Sequence, residues 1–279
     1  MSTPRTLALP ASVRAERIET PHGSFAAHTV RPADARAHVL LVPGWTGSKE
    51  DFTQLLPLLG EAGLAATAYD QRGQYESTGD DDEDFSLAGL AADALAIATA
   101  AHVGVPSHLL GHSFGGLVAQ TAAIAVPEAW RSLSLLCTGP GALGSSPGRP
   151  LDQLIEALDG PAPIDEVYEA LRGASLGTNP APIEDFLRER FRANSRVGLR
   201  ALTQHLLDAP DRVDSVAATG LPVWVGRGAG DDAWPHAVQE EMATRLGTTV
   251  HVIEDADHSP GVENPAGLAA AWLPFLQQH

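Results

Sequence analysis

Cysteine is nearly absent from this chain: one residue of 279, Cys137, carries a thiol. An internal disulfide is thereby excluded, as is a zinc site built on two or more thiolates of one copy. Positive charge is also scarce, with 18 Lys and Arg, of which only Lys49 is a lysine, against 35 Asp and Glu. The resulting net charge of -17 argues against nucleic acid or an anionic membrane as partner. Long apolar runs are missing as well. The Ala-rich stretch 87–101 carries Asp93 and is too short to span a bilayer. Arg5, Arg14, Glu16, Arg17 and Glu19 break up the first thirty residues, so no signal peptide is expected there, and the expectation is a cytoplasmic protein. What is plentiful is apolar: 44% of the residues are hydrophobic, enough for one sizeable core.

Short apolar runs alternate with helical patterns, which predicts an α/β fold with a mostly parallel central sheet flanked by helices. Residues 17–20 and 25–30 flank Pro21-His22-Gly23 and read as an antiparallel hairpin with a turn longer than the tightest kind. Further strands are expected at 38–42, 64–69, 107–110, 131–137, 222–226 and 250–254. Ser48, with Asp51 three residues on, resembles a capping box and predicts a helix to about residue 62. Other helices are expected over 87–98, 114–125, 199–206 and 266–276. The five acids 80–84 precede a helical run, where they suit the helix dipole as solvated charges better than they announce a metal site. Between Pro140 and Asn194, prolines separate short helical patterns, among them Leu151, Leu154, Ile155 and Leu158, then Phe186, Leu187, Arg190 and Phe191. The expected organisation is a core of 1–140 and 195–279 with a helical cap, 141–194, inserted as a lid.

Gly111-His112-Ser113-Phe114-Gly115 carries the strongest chemical signal. Sixteen serines and 27 glycines would produce about 0.15 such G-x-S-x-G matches by chance, so the pattern gains its force from lying between a predicted strand and a predicted helix. A tight strained turn there would hold a serine hydroxyl at the sheet edge. Serine is a weak nucleophile and needs a base oriented by a third group. The loops after the last two predicted strands offer aspartates in Gly228-Ala229-Gly230-Asp231-Asp232-Ala233-Trp234-Pro235, and His258 in Asp257-His258-Ser259-Pro260. Loops at strand C-termini meet at one edge of an open sheet, so these groups can converge across 145 residues of sequence.

With Val42-Pro43-Gly44-Trp45, Asp70-Gln71-Arg72-Gly73 and Asn264-Pro265 added in the same order, nearly the whole chain resembles the α/β-hydrolase fold superfamily, in particular its small serine hydrolases with a helical cap. The resemblance implies Ser113 as nucleophile, His258 as base and Asp231 as acid, with the amides of Trp45 and Phe114 as oxyanion hole. It implies no cofactor, and no spacing among the histidines resembles a metal site. Two positions depart from the family pattern. Pro43 stands where a histidine that braces the loop is usual, and Tyr75 stands where a second glycine is frequent. Asp232, Asp255 and Asp257 are the competing acids, and His112 is read as a packing residue.

The implied function is a serine hydrolase cleaving a carboxylic ester, lactone or thioester through an acyl-enzyme. Perhydrolysis is a side reaction open to the same triad. Serine at position 113 argues against dehalogenase and epoxide-hydrolase chemistry, where relatives use aspartate. The alternative is a receptor-like member that binds ligand with little turnover. The expected partner is a neutral, apolar small molecule, with Leu151, Leu154, Phe186 and Phe191 offered to its pocket; nothing in the sequence sets the oligomeric state.

Overall fold

Central strands buried on both faces read as continuous apolar runs, and edge strands do not. In a computed structural model, which describes residues 1–77, 79–102, 104–147 and 149–279, this distinction orders one eight-stranded sheet. Its strands are β1 (Arg14–Thr20), β2 (Gly23–Val30), β3 (Ala37–Val42), β4 (Leu64–Tyr69), β5 (Ser107–His112), β6 (Trp130–Leu136), β7 (Val223–Gly228) and β8 (Val250–Ile253). They lie in the order β1-β2-β4-β3-β5-β6-β7-β8. β1–β2 and β2–β4 pair antiparallel and the remaining pairs are parallel. All six residues of β4 and of β5 are buried, whereas the edge strand β1 buries only Ile18.

Alternation along the strands divides the core into two layers. Leu40, Leu109, Leu135 and Val225 pack on one face beneath α2 (Leu87–Ala101) and α3 (Phe114–Ala125). Their neighbours Leu41, Leu110, Leu136 and Trp224 face α1 (Leu56–Glu61) and, through Trp272, the C-terminal helix Pro265–Gln278. Between β6 and β7 the chain runs through α4 (Leu151–Asp159), α5 (Ile164–Arg172), α6 (Ala181–Arg192), α7 (Arg196–Asp208) and α8 (Val213–Ala218). α4, α5 and α6 share a separate apolar cluster of Leu154, Leu158, Tyr168, Phe186, Leu187 and Phe191, with Trp45 and Tyr75 of the sheet-edge loops packed against it. α9 (His236–Arg245) follows β7, and the short α10 (Pro260–Glu263) precedes the final helix, α11 (Pro265–Gln278). Among the described residues no helix is long and apolar enough to cross a membrane.

Two local expectations are corrected. The opening hairpin pairs Thr20 with Gly23, so its turn is the two-residue kind. The expected helix from Ser48 to residue 62 is a 3-10 turn, Lys49–Phe52, followed by the separate α1. Its cause is twofold: Asp70 takes the Lys49 backbone N–H at 2.7 Å, and Pro57, lacking an N–H, is tolerated only in a first turn, so the α-helix begins at Leu56. Ser48 accordingly makes no capping bond. The acidic run is spread over solvent and local contacts, Glu83 turning to Arg72 at 3.3 Å and Asp84 accepting the Ser86 N–H at 2.9 Å.

Candidate active site

Ser113 joins β5 to α3 with φ 55 and ψ -122, a conformation that side chains of L residues rarely occupy. The fold tolerates it because glycines flank it. A Cβ on Gly111 would strike the Gly115 carbonyl, and one on Gly115 would strike the Val42 and Pro43 carbonyls. The Ser113 N–H donates to Leu136 O at 2.9 Å, which ties the turn to β6. Its hydroxyl is 2.9 Å from His258 Nε2, and His258 Nδ1 is 2.7 Å from Asp231 Oδ1. A carboxylate can only accept, so Nδ1 carries the proton and Nε2 of the neutral ring is left to accept from the serine.

Asp231 lies in the loop after β7 and is 3% exposed. Its Oδ1 also accepts the Ala233 N–H at 3.1 Å, and its Oδ2 accepts from Gln239 Nε2 at 2.8 Å. Burial alone would raise its pKa, but the bond to His258 and the attraction of that ring in its protonated form, with Gln239 and the Ala233 amide, hold it down to about 2. Of the competing acids, Asp232 leaves 83% of its side chain in solvent and sits 3.4 Å from Arg149, and Asp255 and Asp257 are exposed. Only Asp231 faces the imidazole.

His112 stays beneath the site: its Nε2–H donates to the His258 carbonyl at 2.6 Å, and burial followed by the neighbouring His258 pushes its pKa down to about 3. A neutral ring there braces the histidine loop. His112, Cys137 and His258 place one possible metal-ligand atom each within 4.8 Å of one another. Hydrogen bonds already occupy His112 Nε2 and both nitrogens of His258, while burial, then the Asp231 charge, keep the Cys137 thiol protonated. That donor set does not suit a cation, which needs deprotonated, uncommitted ligands.

Among the described residues, neither the Trp45 nor the Phe114 backbone N–H has a hydrogen-bond partner in the protein. A cavity of about 90 Å³ is lined by Gly44, Trp45, Ser113, Leu206 and His258. It shares Met1, Trp45, Thr46 and Arg149 with a larger one of about 680 Å³ beneath α4 and α5, whose wall includes Leu151, Leu154 and Val167. Phe186 and Phe191, expected in the pocket, instead fill the interior of the α4–α6 cluster. Arg172 also borders the larger cavity, its charge met by Glu184 at 3.1 Å and the Tyr168 hydroxyl at 3.0 Å.

The two departures have structural consequences of different kinds. The Pro43 carbonyl is held by Gln71 Nε2 at 3.0 Å, a bond between sheet-edge loops that sequence reasoning missed because it joins residues 28 apart. Tyr75 adopts φ 41, the backbone region that glycine enters freely. Its ring stands edge-on to Phe186 at 5.7 Å and under the Lys49 ammonium at 4.6 Å, outside both cavities. It reshapes a loop and meets α6 without narrowing the site.

The family model described as "Alpha/beta hydrolase family" matches residues 39–271. A protein of Variovorax paradoxus named "Putative carbamate hydrolase RutD" is 31% identical over 258 residues, covering 88% of this chain and 93% of its own. A pimeloyl-[acyl-carrier protein] methyl ester esterase of Neisseria meningitidis is 28% identical over 252 residues, covering 88% of this chain and 78% of its own. The crystal structure of a hydrolase from Pseudomonas aeruginosa superposes with a TM-score of 0.78 at 25% identity, covering 94% of this chain and 98% of that one. With most of its length matched by the family model, the sheet order of the fold and a serine on the turn after β5, the chain belongs to the alpha/beta hydrolase family.

Proposed function

We propose that this α/β-hydrolase cleaves a carboxylic ester, lactone or thioester through an acyl-enzyme on Ser113. The observation that carries the reading is the unbroken run Ser113 Oγ, His258, Asp231 at 2.9 and 2.7 Å beside a small cavity bordered by Trp45. Ser113 Oγ bonds to the carbonyl carbon while its proton passes to His258 Nε2. The displaced carbonyl electron pair becomes an oxyanion accepted by the Trp45 and Phe114 amides. Asp231 steadies the imidazolium. Collapse of the tetrahedral species breaks the bond to the alcohol or thiol, which leaves with the proton from Nε2. Water then repeats the sequence on the acyl-enzyme and frees the acid and Ser113.

Residues 141–194 serve in this reading as the lid over the site, and the acyl chain occupies the cavity of about 680 Å³ beside Leu151 and Leu154. The apolar part of the cavity wall, Leu151, Leu154, Val167 and Leu171, and the net charge of -17 favour neutral acyl groups, the Arg172 charge being met by Glu184. Esterase-type relatives support the reaction class, and the intact run Ser113, His258, Asp231 counts against a binding protein with little turnover. The test is hydrolysis of matched neutral esters, lactones and thioesters by the wild type and by Ser113→Ala. Turnover of at least one class, lost by a factor of a thousand or more in the variant, supports the reading; full turnover by Ser113→Ala overturns it.

A further inference from the structure

An oxyanion hole made of a loop amide works only if that peptide plane is held with its N–H aimed at the reacting carbonyl. The Trp45 N–H belongs to the Gly44–Trp45 peptide, whose carbonyl is Gly44 O. The chain has no cis peptide among its described residues, so these two groups point in opposite directions. Whatever grips Gly44 O therefore aims the Trp45 N–H. Gly44 O accepts from Gln74 Nε2 at 3.0 Å, and the same nitrogen donates to Trp45 O at 2.7 Å. One carboxamide thus clamps the carbonyls on both sides of Trp45 from behind.

We propose that Gln74 is a positioning residue for the oxyanion hole, orienting the Trp45 amide toward the substrate carbonyl through its bonds to Gly44 O and Trp45 O; the inference rests on the Ser113 reading above. Gly47 N–H also donates to Gly44 O, at 3.1 Å, but Trp45 O has Gln74 as its donor. The carboxamide has a single sensible orientation, since its reverse would set an oxygen against two carbonyl oxygens. Gln74 is 1% exposed, and its Oε1 has no partner among the described residues, so both of its bonds that fix the loop are made by the NH₂ group. Its own backbone is anchored as the clamp requires: its N–H donates to Gln71 O at 2.9 Å and its carbonyl accepts the Ser77 N–H at 2.8 Å. The strained Tyr75 follows directly, so the turn that presents Gln74 is over-determined by the surrounding contacts.

The experiment compares wild type with Gln74→Met, which keeps length and volume but donates nothing, and Gln74→Ala. Rates are taken per active site titrated with a fluorophosphonate, which removes any unfolded fraction. A good neutral ester should lose ten- to a hundredfold in kcat with KM within threefold. A trifluoromethyl ketone, which forms a hemiketal with Ser113 and places its oxyanion in the hole, should lose the same factor in Ki as kcat/KM loses. The matching methyl ketone, which binds without developing that charge, should keep its Ki. Equal weakening of both ketones would mean a collapsed pocket and overturn the inference, as would a Gln74→Met enzyme within threefold of wild type in kcat. A wild type without ester, lactone or thioester turnover would instead refute the reading on which the inference rests.

Discussion

Replacing Asp231 by Asn removes one negative charge from a buried contact of 2.7 Å with His258 Nδ1 and leaves the volume unchanged. In the proposed acyl transfer the imidazole carries a full positive charge, roughly 4 Å from the centre of the carboxylate. At an effective dielectric of about 20 the lost attraction is about 4 kcal/mol, or roughly a thousandfold in rate. A second effect adds to it. Oδ1 accepts from both His258 and Ala233, and if the Asn NH₂ turns to the ring, Nδ1 must accept and Nε2 then carries the proton, the wrong tautomer for taking one from Ser113. The expected loss in kcat is therefore roughly 10³- to 10⁴-fold. Asp232→Asn, altering a side chain 83% exposed, should stay within about threefold. Steady-state hydrolysis of a neutral p-nitrophenyl ester, normalised to titrated sites and accompanied by melting curves, measures both. A variant at Asp231 within tenfold of wild type, or a large loss confined to Asp232→Asn, would refute the reasoning.

Four further outcomes follow from the same geometry. Because the Asp231 pKa is depressed from 3.8 to about 2 in the folded protein, its ionised form contributes stability above about pH 4, on the order of 2 kcal/mol, that is lost as pH falls through about 2; the Tm gap between wild type and Asp231→Asn should narrow over that window, and a constant gap would contradict it. Arg190, fully buried, pairs with Asp51 at 3.0 Å and donates to Ser2 O at 2.6 Å, so Arg190→Met should cost about 3 kcal/mol in urea unfolding, with part recovered by adding Asp51→Leu. Leu154→Trp should shorten the preferred acyl chain by filling the cavity of about 680 Å³, leaving acetate esters within a few-fold; uniform loss across chain lengths would contradict it. At low salt a neutral ester should exceed its dianionic analogue in kcat/KM, and parity would count against the neutral-substrate reading.

The parts of this site written in local sequence were legible, and of its tertiary contacts only the meeting of the loops at the strand C-termini was open to reading. Gly111 and Gly115 mark the turn because no side chain fits there: the Gly111 clash with the Gly115 carbonyl is local, while the Gly115 clash with the Val42 and Pro43 carbonyls comes from the neighbouring strand. The mostly parallel sheet was equally open to reading, since buried strands such as Leu64–Tyr69 are apolar runs broken only by Thr67. Distinguishing Asp231 from Asp232 by chemistry alone was impossible, because both are loop carboxylates and only the fold decides which one turns inward. Of the two causes of the broken helix after Ser48, Asp70 lies 21 residues from Lys49 and was out of reach of the pattern, whereas Pro57 is local and marks the start of the second helix. α9 went unread because its inward face is Gln239, Met242 and Ala243, too mixed for a periodic signal, although Gln239 is a partner of Asp231. Gln71 lies within the Asp70–Gly73 motif and Gln74 just after it, but no role was read for either side chain, since their contacts to Pro43, Gly44 and Trp45 exist only once β3 and β4 lie side by side.

The most direct test of the central claim is to label the purified protein with a fluorophosphonate and map the adduct by peptide mass spectrometry. The account predicts one phosphonyl group per chain, on Ser113, with labelling abolished in Ser113→Ala and slowed by orders of magnitude in His258→Ala. Stoichiometric labelling at another residue, or undiminished labelling of Ser113→Ala, would contradict it.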